Sequence, residues 1–199
     1  MRTKFPNLYF AILSFIGLPV SAGEGLPTFS GPSMGTTYRV TLGKNVPQKP
    51  LGEIHRETDS LLRQIDQSLS TWREDSIATT LNQSPAHTLL QVDEHMTNIL
   101  LIAETLFHKT EGRFDITAGP LIQWWRTRDL HDELGSIGIP SGNPPQEVMD
   151  RVGFNHLKIQ LSDDPCDASV QKTTEGITVD FSGIGPGYAV DQIGKLLLS

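Results

Sequence analysis

Cysteine is almost absent from this sequence of 199 residues: only Cys166 occurs, beside Pro165. One cysteine excludes an internal disulfide, and its residual role is a free thiol in a loop. Basic runs are missing too. Lys and Arg number 16 against 23 acids, for a formal net charge of -7. That leaves no footprint for a phosphate backbone and excludes a nucleic-acid partner. Of the motifs that announce common chemistries, G-x-x-x-x-G-K-S/T, G-x-G-x-x-G, H-E-x-x-H and C-x-x-C are all missing. The histidines, at 55, 87, 95, 108, 131 and 156, include no pair at metal-ligand spacing on one face. There is no internal repeat and no low-complexity tract.

Long apolar runs are also lacking. The longest, Leu8 to Val20, falls short of the roughly 20 residues a spanning helix needs. It follows Arg2 and Lys4 and precedes the small residues Ser21 and Ala22, the order of a secretory signal peptide. The expected mature chain is residues 23–199, periplasmic and not inserted in the membrane; the competing reading is an uncleaved anchor. No cysteine stands at the cleavage point, which excludes a lipoprotein. Cleavage removes two cations and no acid, so the remainder is more acidic still.

What is present is a globular composition, 37% hydrophobic and 20% charged. Thr36, Tyr38, Val40 and Leu42 alternate as a half-buried strand. Ile54, Leu61, Leu62, Ile65 and Leu69 share a helical face. A second helix is predicted over Glu94–Lys109, with Met96, Ile99, Leu100, Ala103 and Phe107 inward, Asp93 as its N-cap and Gly112 just past its end. A short helix is predicted from Pro145 to Arg151, strands at Leu157–Leu161 and Ile177–Phe181, and a helix from Gly187 to Leu198. Strands and helices without strict alternation give the α+β class, a mixed sheet with packed helices.

Four stretches stand out. Ser33-Met34-Gly35-Thr36-Thr37-Tyr38 leads into the first strand, and Leu69-Ser70-Thr71-Trp72-Arg73-Glu74-Asp75-Ser76, followed by Leu81-Asn82, ends the first helix. The third runs from Gly112 through Arg113, Phe114 and Asp115 to Leu121. In the fourth, a strand reaches Asp180, then Gly183, Gly185 and Gly187 recur at every second residue before a helix. Such glycines let backbone approach a ligand, and a helix N-terminus attracts an anion such as a pyrophosphate. The same pattern also makes a plain strand-to-helix turn. Phe114 is either a stacking face or a core residue, and Asp115 either an acceptor or a cap. Trp72 either lies on a flat ring system or fills partial core. Trp124 and Trp125 are packing residues.

In order, spacing and wording these stretches resemble the ApbE family, the FAD:protein FMN transferases. The shared patterns are M-G-T-T, L-S-T-aromatic-x-x-D-S with a following N, G-x-F-D-x-T-x-G-P-L, and V-D-x-S-x-I/V-G-x-G-Y-A-x-D. The resemblance implies an α+β domain that uses FAD and Mg²⁺, moves FMN onto a Thr or Ser of a target flavoprotein, and releases AMP. It places FAD contacts on Met34, Trp72, Arg113, Phe114, Asp115, Asp180 and Pro186, and a metal-facing main-chain oxygen on Gly183.

Trp72 stands where the family commonly has Tyr and keeps the stacking face. Pro186 stands where the family usually has Lys or Glu, and it brings neither charge nor N–H. The family's H-x-x-D-P-x-T-G motif and Asp-containing Mg²⁺ site have no counterpart here. The sequence therefore names no catalytic residue and is expected to be the N-terminal portion of an ApbE-type domain. The alternatives are a flavin- or partner-binding periplasmic module without chemistry, and a secreted α+β domain of no assigned activity.

Overall fold

A computed structural model describes residues 26–43, 49–126, 143–162 and 168–198. The signal-like segment, His131 and Cys166 lie outside them. By internal contacts the chain divides into two units, one of residues up to Asp66 together with Pro186 onward, the other Gln67–Gly185.

In the first unit, β1 (Thr28–Ser33) and β2 (Thr36–Thr41) pair antiparallel, with Phe29 opposite Val40 and Ser33 opposite Thr36. Met34 and Gly35 close this hairpin, with φ of 49° and 73°. Two successive left-handed residues match the right-handed twist of the strands they join. The Ser33–Tyr38 stretch is therefore a hairpin turn, where the sequence had suggested only a lead-in. β1 escapes sequence reading because Gly31 and Pro32 interrupt its alternation.

Helix α1 (Leu51–Leu69) buries Ile54, Leu62, Ile65 and Leu69, with Leu61 half-buried at the margin of the stripe. The hairpin meets α1 through side chains. The Phe29 ring lies 4.8 Å from that of His55, and the Tyr38 hydroxyl donates to Asp59. Gly31 makes room for this pair, since a Cβ there would come within 2.8 Å of Tyr38 Cε1. Helix α6 (Gly185–Leu198) buries Tyr188, Ala189 and Ile193. It starts two residues before the expected Gly187, taking Pro186 into the first turn, where its missing N–H is no loss.

The second unit is built on a three-stranded antiparallel sheet of order β3-β5-β4, from β3 (Leu90–Val92), β4 (Leu157–Gln160) and β5 (Ala168–Lys172). Val170 of the central strand faces Leu90 on one side and Ile159 on the other. Leu161, expected in a strand, falls beyond β4 and is exposed. Helix α3 (Glu94–Lys109) has the expected limits, and Asp93 accepts from the Met96 amide at 2.8 Å. Its inner face is Met96, Ile99, Leu100 and Ala103, with Phe107 only half-buried. Helices α2 (Ile77–Gln83), α4 (Gly119–Arg126) and α5 (Gln146–Met149) complete the unit. The α+β class holds, and both sheets among the described residues are antiparallel. No helix among the described residues is long and apolar enough to cross a membrane.

Ile177–Phe181 corrects the sequence expectation. Ile177, Val179 and Phe181 alternate inward and are buried, yet the segment joins neither sheet. Its backbone is held by side chains and by single bonds to other loops.

Candidate functional site

The second stretch forms a loop between α1 and α2. Ser76 caps α2 by accepting from the Thr79 amide at 3.0 Å, and its hydroxyl donates to the carbonyls of Ser70 and Arg73. This ties down both ends of a loop whose apex is Trp72. The Trp72 side chain is 84% exposed, so it is not core. Arg73 bonds Asp75 at 2.9 Å and Gln67 at 2.8 Å, and its guanidinium holds the Asp75 carboxyl below the usual carboxylate range.

The third stretch starts where α3 ends. Glu111 and Gly112 are both left-handed, and the Gly112 amide returns to the Phe107 carbonyl at 2.8 Å. That stops the helix and turns the chain. Arg113 is exposed, while Phe114 and Asp115 are half-buried. Asp115 Oδ1 accepts from both the amide and the hydroxyl of Thr117, at 2.8 and 2.7 Å. The Thr117 hydroxyl is fully buried and itself accepts from the Gly153 amide at 2.7 Å. Asp115 is thereby fixed through one oxygen.

The fourth stretch is stitched to both of the others. Asn82 at the end of α2 donates to the Val179 carbonyl at 3.0 Å and accepts from its amide at 2.7 Å. The Asp180 amide donates to the Ile116 carbonyl at 2.7 Å. A Cβ on Gly183 would lie 3.6 Å from Phe114 Cε2, so that backbone runs beside the ring. Asp180 Oδ1 accepts from the Ser182 amide at 2.8 Å, and the Gly185 amide donates to Phe181 as α6 begins.

The glycines of this turn are not required by the fold. Gly183, Gly185 and Gly187 are absent from the left-handed positions of the chain. A Cβ on Gly183 or Gly185 meets only ordinary contact, and one on Gly187 meets nothing within 4 Å.

Met34 belongs to the first unit. It lines a cavity of about 220 Å³ with Pro32, Ser33, Asp59, Leu62, Arg63 and Asp66. The buried Ser33 hydroxyl there lacks a hydrogen-bond partner. Pro186 is half-buried in the first turn of α6. Within the second unit, hydrogen bonds tie Asn82 to Val179 and the Asp180 amide to Ile116, the residue after Asp115, while Gly183 runs beside the Phe114 ring and Trp72 stands on an exposed loop. Sequence reading missed Thr117 and Lys172 as supports. Their signal is a lone polar residue in a buried stretch, which is legible only once the partner is known.

As a magnesium site the described residues do not suffice. No group of three or more His, Cys, Asp or Glu among them is arranged to hold a metal. A single carbonyl at Gly183 is far from the near-octahedral oxygen shell that Mg²⁺ demands.

Known proteins share the sequence and the fold of this chain. The ApbE family profile matches residues 34–199. The FAD:protein FMN transferase of Chlamydia pneumoniae is 27% identical over 192 residues, covering 94% of this chain and 57% of that protein. The enzyme of the same name from Escherichia coli K12 is 29% identical over 167 residues, covering 84% and 46%. The solved flavin transferase ApbE from Vibrio cholerae superimposes with a TM-score of 0.65 at 26% identity, over 94% of this chain and 54% of that one. The chain spans about half the length of the relatives it matches. Motifs, fold and matches agree that this chain belongs to the ApbE family.

Proposed function

We propose that the whole protein is an FAD:protein FMN transferase and that this chain supplies a large part of its FAD site. In the reaction, a Thr or Ser hydroxyl of a target flavoprotein attacks the FMN phosphorus of FAD. The new bond is a phosphoester, the bond to the bridging oxygen breaks, and AMP leaves with that oxygen while the hydroxyl proton is released. Binding and orientation supply much of the rate in phosphoryl transfer, so a fixed nucleotide site is the chain's contribution.

The observation that carries this function is the convergence of three stretches in one unit around a glycine turn that the fold itself does not need. Trp72, exposed and on a loop anchored at both ends, offers a stacking face for a flat ring. Asp115 and Asp180 each commit one oxygen to a backbone turn, an arrangement that holds a carboxylate ready to accept from ligand hydroxyl or ring N–H groups. Arg113 is an exposed cation for phosphate. For Met34 and Pro186, which belong to the first unit, the FAD contact rests on the family resemblance alone. Dependence on Mg²⁺ is part of the proposal through the family; none of the roles given to these residues passes through the metal.

The test is incubation of the protein with FAD, Mg²⁺ and a flavin-accepting partner. Covalent, fluorescent FMN on a partner Thr or Ser supports the transferase. FAD bound without transfer favours a flavin-binding module, and absence of FAD binding overturns both. The proposed location is the periplasm, after cleavage at Ala22. N-terminal sequencing of the exported product is then expected to start at Gly23, and a start at Met1 in the membrane fraction contradicts it.

A further inference from the structure

Lys172 is the last residue of β5 and is 1% exposed, as deeply buried as the aliphatic core around it. Its ammonium donates to the Asn82 carbonyl at 2.9 Å and to the Ile177 carbonyl at 3.3 Å. Both partners are neutral. Glu175 acts on it through its field, while the Glu175 carboxylate itself accepts from the Ala86 amide. Burial accordingly pushes the Lys172 ammonium below its ordinary value. Burying a cation without a bonded carboxylate is costly. Neither the sheet nor the flavin contacts described above account for its presence.

The two carbonyls explain it. Asn82 lies in the last turn of α2, where helix carbonyls have no partner within the helix and the dipole is negative. Ile177 lies in the buried extended segment that has no ladder partner. One ammonium satisfies both. The Asn82 side chain meanwhile takes both the amide and the carbonyl of Val179. Three hydrogen bonds thus do for 177–179 what a neighbouring strand would otherwise do, and a fourth ties Lys172 to Asn82. Asp180 follows directly, and its amide is held by Ile116.

We propose that Lys172 and Asn82 form a backbone clamp that sets the position of Asp180 and the glycine turn, so that both are positioning residues for the nucleotide site. This rests on the FAD-binding function proposed above.

The experiment compares wild type with Lys172→Met, which keeps length and apolar bulk but loses the donors, and with Asn82→Ala. Amide hydrogen exchange is read at Val179 and, as the internal reference, at Val170 in the central strand. FAD affinity is read by flavin fluorescence well below the melting temperature. The expected result is exchange at Val179 accelerated about tenfold or more relative to Val170, with FAD affinity about tenfold weaker in both variants. Unchanged exchange at Val179, equal acceleration at both amides, or unaltered FAD affinity in a folded variant overturns the clamp. Should Lys172→Met and Asn82→Ala fail to fold, wild type alone decides. Protection of Val179 comparable to Val170 supports the clamp, and free exchange overturns it. If wild type protects Val179 yet binds no FAD, the functional proposal fails and the clamp survives only as architecture.

Discussion

Gly119 and Thr178 are in direct backbone contact: a Cβ placed on Gly119 would fall 2.2 Å from the Thr178 hydroxyl and 2.8 Å from its carbonyl oxygen. This approach brings the third stretch beside the buried segment that leads into the fourth, and only glycine permits it. Gly119→Ala is expected to destabilise the protein by about 1–3 kcal/mol or more through overpacking. For a chain of this size each kcal/mol corresponds to roughly 2–4 °C in Tm. Adding Thr178→Ala relieves the hydroxyl clash but not the carbonyl one, so it should restore stability only in part. Urea denaturation of the single and double variants checks this; full recovery contradicts it.

The Tyr38–Asp59 pair makes a pH-dependent prediction. Burial, and then the hydrogen bond to Asp59, push the Tyr38 phenol well above its ordinary value of 10.0. Below that value folded and unfolded chains both keep the proton, and the contribution of Tyr38 is fully present. Above it the unfolded phenol ionises while the folded one does not, so the folded state binds more protons and stability falls as pH rises. The slope approaches about 1.4 kcal/mol per pH unit. Tyr38→Phe removes that slope. The stability gap between wild type and variant should therefore narrow between pH 10 and 11, and a constant gap in denaturation curves contradicts the assignment.

The glycine turn separates architecture from binding. Because a Cβ at Gly183 meets only ordinary contact and one at Gly187 meets nothing, alanine at either position should leave stability within about 0.5 kcal/mol of wild type, or raise it slightly in helix α6. FAD affinity should nonetheless fall, because the added methyls occupy space kept open for the ligand. Calorimetric melts and FAD titrations on the same samples check this. Unchanged affinity would make the glycines ordinary turn residues.

How much of this was legible in the sequence follows from the range of the signals. Helix α3 was readable to its limits because its determinants are local: the Asp93 cap, the apolar stripe and the Gly112 stop. β1 and β5 were not. Gly31 and Pro32 mask the one, and Ala168–Lys172 is short and ends on a buried lysine whose purpose lies 90 residues away at Asn82. Ile177–Phe181 read as a strand because its alternation is genuine. Its backbone partners, however, are the side chains of Asn82 and Lys172 and the Ile116 carbonyl, and no local pattern announces them. Residue types at the candidate site were visible from the motifs, whereas the bonds that hold Asp115 and Asp180 were not.

Asp180→Asn decides whether Asp180 and its neighbours hold FAD. Asparagine keeps the side-chain oxygen that accepts from the Ser182 amide, so the turn stays formed, and only the carboxylate is lost. Titration of FAD into wild type, followed by quenching of flavin fluorescence, should saturate. Asp180→Asn should weaken binding at least tenfold at unchanged Tm, and Asp180→Ala further. Absence of saturable FAD binding by wild type, or an Asp180→Asn variant that binds as wild type does, would show that Asp180 does not hold FAD.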